Sequence, residues 1–150
     1  MAQAATGAAG ARPNILWYCS DQQRYDTIRA PGQPHIATPH LDALCADGVA
    51  FRRAYTQSPI CTPARATFLT GRYPAAHQVH RNGNAYFPPH EKLVTKMFAE
   101  GGYDCGLVGK LHLSAAKNFE VRPDDGYRAF WWSHHPTPDA ARGHDYETWL

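Results

Sequence analysis

The segment SPICTPARATFLTGRYP, residues 58–74, brings one cysteine and two arginines together with several prolines. Cys61 is followed by Pro63 and Arg65, and proline is tolerated in the first turn of a helix because its missing N–H has no partner there. The segment therefore predicts a helix that begins at Cys61 and continues through ARATFL. The unpaired N–H groups and partial positive charge at the start of such a helix favour an anion.

Arg65 lies one turn after Cys61, so both side chains are predicted on the same side of this helix. A cysteine phosphatase loop is excluded, because it would need an arginine at position 67, where the chain has Thr67. The simpler alternative is a cysteine at a helix start beside a surface arginine, since short motifs also arise by chance. The predicted helix by itself is compatible both with a purely structural role for Cys61 and Arg65 and with an anion-binding site.

A second polar cluster lies in YDCGLVGKLHL, residues 103–113, which predicts a strand. In an extended segment Lys110 and His112 would point to one face, and Leu111 and Leu113 to the other. A lysine and a histidine at the end of a strand are by default exposed to solvent at the edge of the sheet. The alternation instead favours both side chains aimed into a site.

The elements that would position these residues alternate between strand and helix. Besides residues 103–113, short apolar runs predict strands at 13–21 and 49–56, and residues from Ser114 onward are predicted to be loop. Helices are predicted from Pro39 to Gly48 and at 90–102, the latter with Leu93 and Met97 on its apolar face. This alternation predicts an α/β fold with a parallel sheet covered by helices on both faces.

Chemistry in open α/β sheets gathers beyond the carboxyl ends of the strands. Asp21 directly follows the first predicted strand, and the regions of Cys61 and of Lys110 and His112 follow the other two. Asp21 could also be a simple turn or helix-cap residue. We expect these three polar clusters to meet at one rim of the sheet.

The motif Cys-Thr-Pro-Ala-Arg at residues 61–65, with TGRYP at 70–74, resembles the signature of type I sulfatases in the alkaline-phosphatase superfamily. GKLHL at 109–113 resembles a second element of that family, and the similarity extends over residues 13–113. The resemblance implies a mostly parallel sheet sandwiched by helices. It also implies that residues 13–150 are the N-terminal part of a catalytic domain. The Ala- and Gly-rich composition of residues 1–12 predicts a disordered tail before it.

In this family the cysteine is oxidised to formylglycine, so the resemblance implies that Cys61 is a precursor of the nucleophile. One hydroxyl of the hydrated aldehyde attacks the sulfur of a sulfate ester and releases the alcohol. The other hydroxyl, once deprotonated, expels sulfate and regenerates the aldehyde. The implied partners are a small-molecule sulfate monoester and, during maturation, a formylglycine-generating enzyme.

The same resemblance implies roles for the residues around Cys61. Lys110 would hold a sulfate oxygen, and His112 would hydrogen-bond the aldehyde hydrate and accept its proton. Arg65 would orient the hydrate and neutralise nearby charge. Asn82 is a candidate for contact with the substrate.

A divalent cation is also implied, with Asp21, Gln22 and residue 61 as ligands. Carboxylate and amide oxygens suit Ca²⁺, with Mg²⁺ or Mn²⁺ as alternatives. Many sulfatases have two consecutive aspartates where this chain has Asp21-Gln22, which carries one negative charge fewer. The Asp-Gln pair also occurs in phosphonate monoester hydrolases of the superfamily, whereas Lys110 and His112 favour sulfate esters. A phosphonate or phosphate ester hydrolase and a non-catalytic relative remain the alternative functions.

Composition narrows the class of protein further. The apolar share of 43% and the net charge of +2 are typical of a globular protein, and no basic run predicts a nucleic-acid partner. No apolar run is long enough for a membrane span, and the N-terminal residues lack the features of a signal peptide, so a cytoplasmic location is expected. Family members are much longer than this chain, so the isolated 150-residue chain is expected to be inactive.

Single, scattered cysteines argue against a disulfide framework or a zinc ribbon. Cys19, Cys45 and Cys105 lie in apolar segments and are predicted to be buried. Loop packing is favoured for most of the polar residues after the signature helix, including His77. Loop packing is also favoured over a substrate pocket for the aromatic and imidazole groups near the C-terminal end, which are Trp131, Trp132, His134, His135 and His144.

Overall fold

The structure is a computed structural model that describes residues 12–114, 120–134 and 144–150. The chain divides into two compact units, Met1–Ala54 and Tyr55–Leu150. The first unit contains a short 3₁₀ turn at Tyr25–Thr27 and helix α1 at Pro39–Asp47. Helix α1 starts at its proline and ends before Gly48, whose N–H donates to the Leu44 carbonyl. The predicted helix is therefore confirmed.

The strands predicted at 13–21 and 49–56 are wrong for this structure, which has no strand in either segment. Their large apolar side chains are exposed, and Leu16 and Phe51 keep 92% and 78% of their surface accessible. A strand must pair its N–H and C=O groups with a second strand, and the described part of the first unit offers none. Cys19 is also exposed, contrary to its prediction.

The second unit carries four helices among its described residues. They are α2 at Cys61–Thr70, α3 at Pro74–His77, α4 at Val94–Glu100 and α5 at Asp145–Trp149. Helix α2 begins at the predicted residue and ends at Gly71, which adopts the left-handed conformation that favours glycine at φ 68°. No helix in the described parts of the chain is long and apolar enough to cross a membrane.

Helix α4 is shorter than predicted, because the helix begins only after Leu93. Leu93 is fully buried, but Met97, which was predicted on the same face, is half exposed. The apolar face of α4 is therefore only partly the predicted one. All four cysteines lie in described residues and none forms a disulfide; Cys45 and Cys105 are only half-buried, which corrects their predicted burial.

Strands β1, Cys105–Gly109, and β2, Tyr127–Trp132, form a two-stranded parallel sheet. Strand β1 lies within the predicted segment, and the parallel pairing is confirmed. The prediction of loop for all residues from Ser114 onward is wrong at β2 and at α5. The Ser133 N–H extends the pairing by donating to the Gly109 carbonyl, so the chain after β1 and the chain after β2 begin side by side.

The core of the second unit joins α2 to the chain that follows β1. Its buried apolar residues are Ala66, Val79, Phe87, Leu93, Leu111 and Leu113. Burying each leucine side chain contributes about 1.5–3 kcal/mol. Leu111 and Leu113 lie on either side of His112, so the core fixes the backbone of the second polar cluster.

Candidate active site

The first turn of α2 is capped by a residue from a distant part of the chain. Ile60 precedes the helix and offers no side-chain cap, while the Thr62 N–H donates to Asn82 Oδ1 at 2.8 Å. Asn82 therefore performs the role of an N-cap, which satisfies an N–H that has no partner within the helix. Sequence reasoning proposed Asn82 for substrate contact and missed this role. Cys61, the first residue of the helix, is half-buried.

Arg65 is directed inward from α2. Its side chain is buried, with 8% of the residue exposed, and its Nη1 donates to the Lys110 carbonyl. The alternative of a surface arginine is therefore wrong. Its guanidinium adds a full positive charge to the partial charge of the helix start, so this end of α2 favours an anion. Lys110 itself is half-buried.

His112 reaches the same helix turn. Its Nε2 lies 3.1 Å from Thr62 Oγ1, and the residue is only 7% exposed. The predicted strand alternation is wrong here, because β1 ends at Gly109 and His112 adopts a left-handed conformation with φ 55°. Both residues nevertheless contact α2, Lys110 through its carbonyl, which accepts from Arg65, and His112 through Nε2, which meets Thr62 Oγ1. The meeting of these two predicted clusters is confirmed, whereas their catalytic roles stay a prediction.

A fully buried carboxylate, Glu120, lies behind His112. Glu120 Oε2 accepts the His112 N–H at 2.6 Å, Oε1 accepts the Leu113 N–H, and Trp132 Nε1 donates to Oε2 at 3.2 Å. Burial raises the pKa of Glu120, while these donors favour its ionised form. Sequence reasoning missed Glu120, because an acidic residue in NFEVRPDD has the pattern of an exposed loop.

A group of aromatic and imidazole rings packs against His112 through His134. The His134 ring meets the His112 ring edge-on with centroids 4.3 Å apart, and Trp132 stacks on His134 with ring planes 4° from parallel. The His134 N–H donates to His144 Nε2 at 3.2 Å. These contacts are the packing that the sequence predicted, but they surround a residue of the candidate site.

The other members of that predicted group lie apart from it. Trp131 is 57% exposed, and His135 falls outside the described residues. His77, by contrast, is a buried packing residue, although it ends helix α3 rather than lying in the predicted loop. It is fully buried, its Nδ1 accepts the Val79 N–H at 3.1 Å, and its Nε2 lies 3.0 Å from Thr67 Oγ1. Burial lowers the pKa of His77.

Asp21 and Gln22 belong to the first unit, where both are exposed and Gln22 has a φ of 52°. Their oxygens are of the type that Ca²⁺ and Mg²⁺ prefer, but Ca²⁺ takes about six to eight oxygen ligands. No group of three His, Cys, Asp or Glu side chains within the described residues could hold a metal ion. These two residues could supply only part of a ligand set, and the metal site stays a prediction.

Comparisons with known proteins bear on the whole second unit and most of the first. A family model described as Sulfatase matches residues 13–150. An ulvan-active sulfatase from Formosa agariphila is 35% identical over 119 residues, covering 79% of this chain and 23% of that relative. The human N-acetylgalactosamine-6-sulfatase is 34% identical over 127 residues, covering 75% of this chain and 24% of that relative.

Among solved structures, the phosphonate monoester hydrolase of Agrobacterium radiobacter matches with a TM-score of 0.68 and 30% identity, covering 91% of this chain and 30% of that chain. This likeness confirms the predicted α/β, alkaline-phosphatase-like fold class. The chain spans about a quarter of the length of the curated relatives it matches.

Proposed function

Because the chain belongs to the sulfatase family, we propose that it is part of a sulfuric ester hydrolase whose nucleophile derives from Cys61. The observation that carries this proposal is the contact between the start of α2 and residues 110–112. Arg65 donates to the Lys110 carbonyl, and Thr62 Oγ1 meets His112 Nε2 at 3.1 Å. A half-buried cysteine thus begins a helix that carries a buried arginine and whose first turn contacts a buried histidine.

In the proposed reaction, residue 61 acts as formylglycine, whose hydrate supplies a nucleophilic hydroxyl and a second hydroxyl that later releases sulfate. The start of α2 and the Arg65 guanidinium provide the positive charge that an anionic ester needs. Lys110, half-buried next to this turn, binds a sulfate oxygen. A charged hydrogen bond to the transferring group strengthens as charge develops there.

His112 holds or moves a proton at Nε2, the atom that faces the first turn of α2. An imidazole suits this task because its ordinary pKa of about 6.5 lies near neutral pH. The Thr62 hydroxyl and the His134 ring restrict the imidazole, so it can act without first reorganising.

Asp21 and Gln22 are proposed as oxygen ligands of Ca²⁺, with Mg²⁺ or Mn²⁺ as alternatives. A bound divalent cation would supply positive charge that stabilises a developing oxyanion. The proposal rests on their donor chemistry and on the family to which the chain belongs.

A phosphonate monoester hydrolase is the second candidate function. The similarity to the Agrobacterium radiobacter enzyme over 91% of this chain favours it, as does glutamine at position 22. The test compares rates of hydrolysis of an aryl sulfate and of an aryl phosphonate monoester by the purified full-length protein. A kcat/KM higher for the aryl sulfate supports the sulfatase proposal, whereas the reverse order supports the second candidate.

A further inference from the structure

The backbone at His112 is held in a conformation that a histidine does not readily adopt. Its φ of 55° lies in the left-handed region, where a side chain crowds the backbone and the conformation is strained. The turn is also buried, so water cannot satisfy its N–H groups. Both facts require a partner that stabilises this turn from outside the segment.

Glu120 is that partner. Each of its two carboxylate oxygens accepts a backbone N–H, Oε2 from His112 at 2.6 Å and Oε1 from Leu113. A hydrogen bond between a carboxylate and a backbone N–H is about twice as strong as a neutral one. Consecutive N–H groups that converge on one anion form a concave anion site, here occupied by the chain's own side chain.

The turn decides where the His112 imidazole points. With the backbone left-handed, His112 Nε2 reaches Thr62 Oγ1 in the first turn of α2, while Leu111 and Leu113 remain buried in the core. An extended backbone at this residue would direct the ring elsewhere, because side chains alternate across a strand. Trp132, which also donates to Glu120, stacks on the His134 ring that abuts His112.

We propose that Glu120 is a positioning residue for the candidate active site: its buried carboxylate fixes the left-handed turn at His112, and through that turn it aims the imidazole at the start of α2. The role of the imidazole in turnover rests on the proposed function. The effect of Glu120 on the position of the imidazole does not.

The experiment compares Glu120→Gln and Glu120→Asp with the wild type in the full-length protein. Glutamine has the same shape but only one acceptor oxygen. Its NH₂ group is a donor that would face the second backbone N–H, so one of the two backbone hydrogen bonds would be lost. Aspartate keeps the charge at a shorter reach. The matched control is Glu100→Gln, the same chemical change at a half-exposed side chain that pairs with Lys92.

Two readouts are measured for each variant: the Thr62–His112 distance in a crystal structure, and kcat and KM for an aryl sulfate. We expect Glu120→Gln to lose the Thr62–His112 hydrogen bond and to lower kcat about 100-fold, since small misplacements of a reacting group cost this much. KM should change by less than about threefold. Glu120→Asp should recover part of kcat, and Glu100→Gln should match the wild type.

A Glu120→Gln structure with the hydrogen bond and the turn intact would overturn the proposal. A lost hydrogen bond with an unchanged kcat would support the positioning by Glu120 and would contradict the proposed role of His112 in turnover. If Glu120→Gln does not fold, Glu120→Asp decides by the same two readouts. If the wild type hydrolyses no sulfate ester, the proposed function fails, but the variant structures still decide whether Glu120 positions His112.

Discussion

Thr62 and His112 meet through a hydrogen bond with 3.1 Å between Oγ1 and Nε2, although fifty residues separate them in the chain. Thr62 is fully buried, and its own N–H is held by Asn82. The start of α2 is therefore fixed from two sides by residues that lie far along the sequence. These two contacts hold the start of α2 next to His112 and so define the candidate site.

Replacing Thr62 with valine should destabilise the protein, because valine keeps the shape but removes the hydroxyl that meets the His112 ring. We expect a loss of about 1–3 kcal/mol in the free energy of unfolding, measured by urea denaturation. Thr62→Ser keeps the hydroxyl and should lose less than Thr62→Val. A Thr62→Val protein as stable as the wild type would show that this hydrogen bond contributes nothing.

Lys110→Ala should reduce kcat/KM for an aryl sulfate by a factor that corresponds to about 3 kcal/mol, because a charged contact to the transferring group is lost. The control is Lys92→Ala. Lys92 forms an ion pair with Glu100 in which both side chains are 48% exposed, and such pairs contribute little. Equal losses in the two variants would contradict the assignment of Lys110 to the site.

The pH dependence of stability should include a contribution from His77. Burial lowers the pKa of this imidazole below its ordinary value of 6.5. The unfolded chain therefore binds a proton at a higher pH than the folded protein does. The free energy of unfolding therefore suffers no loss from His77 above about pH 6.5. It should decrease as the pH falls below that value toward the lower pKa that His77 has in the folded protein.

Urea unfolding at a series of pH values from about 8 to 5 measures this contribution. His77→Gln should show a flatter decline in unfolding free energy than the wild type. The control is His40→Gln at an exposed position in α1, which should keep the wild-type slope. A wild-type slope in His77→Gln would refute the contribution of His77.

Asp21→Ala should abolish hydrolysis by the full-length protein while its circular dichroism stays unchanged, because the proposed metal loses a carboxylate ligand. Calorimetric titration with Ca²⁺ should show weaker binding in this variant. Asp47→Ala, at an exposed residue that ends α1, is the control and should bind Ca²⁺ like the wild type. Unchanged Ca²⁺ affinity in Asp21→Ala would remove this residue from the proposed ligands.

Local signals in the sequence were sufficient to predict helix α2 and the general position of the candidate site. Pro63 and Gly71 mark the two ends of that helix, and the spacing of Cys61 and Arg65 places both in its first turns. The approach of Lys110 and His112 to this helix followed from the α/β pattern. These features depend on short stretches of chain, which a single sequence displays directly.

The parts that were missed depend on contacts between distant residues. Strand β2 is defined by its pairing with β1, and the segments at 13–21 and 49–56 have strand composition without a partner in the described chain. The turn at His112 needs Glu120, and nothing in the residues around Glu120 indicates burial. Hydrophobic patterns do not encode such pairings.

The most direct test of the account is the chemical state of Cys61. The protein is expressed in a host that has a formylglycine-generating enzyme, and the tryptic peptide of residues 54–65 is analysed by mass spectrometry. We expect the thiol to be replaced by an aldehyde, seen as a defined loss of mass and as labelling by a hydrazide. A protein that hydrolyses sulfate esters at full rate while Cys61 remains an unmodified thiol would contradict the proposed nucleophile.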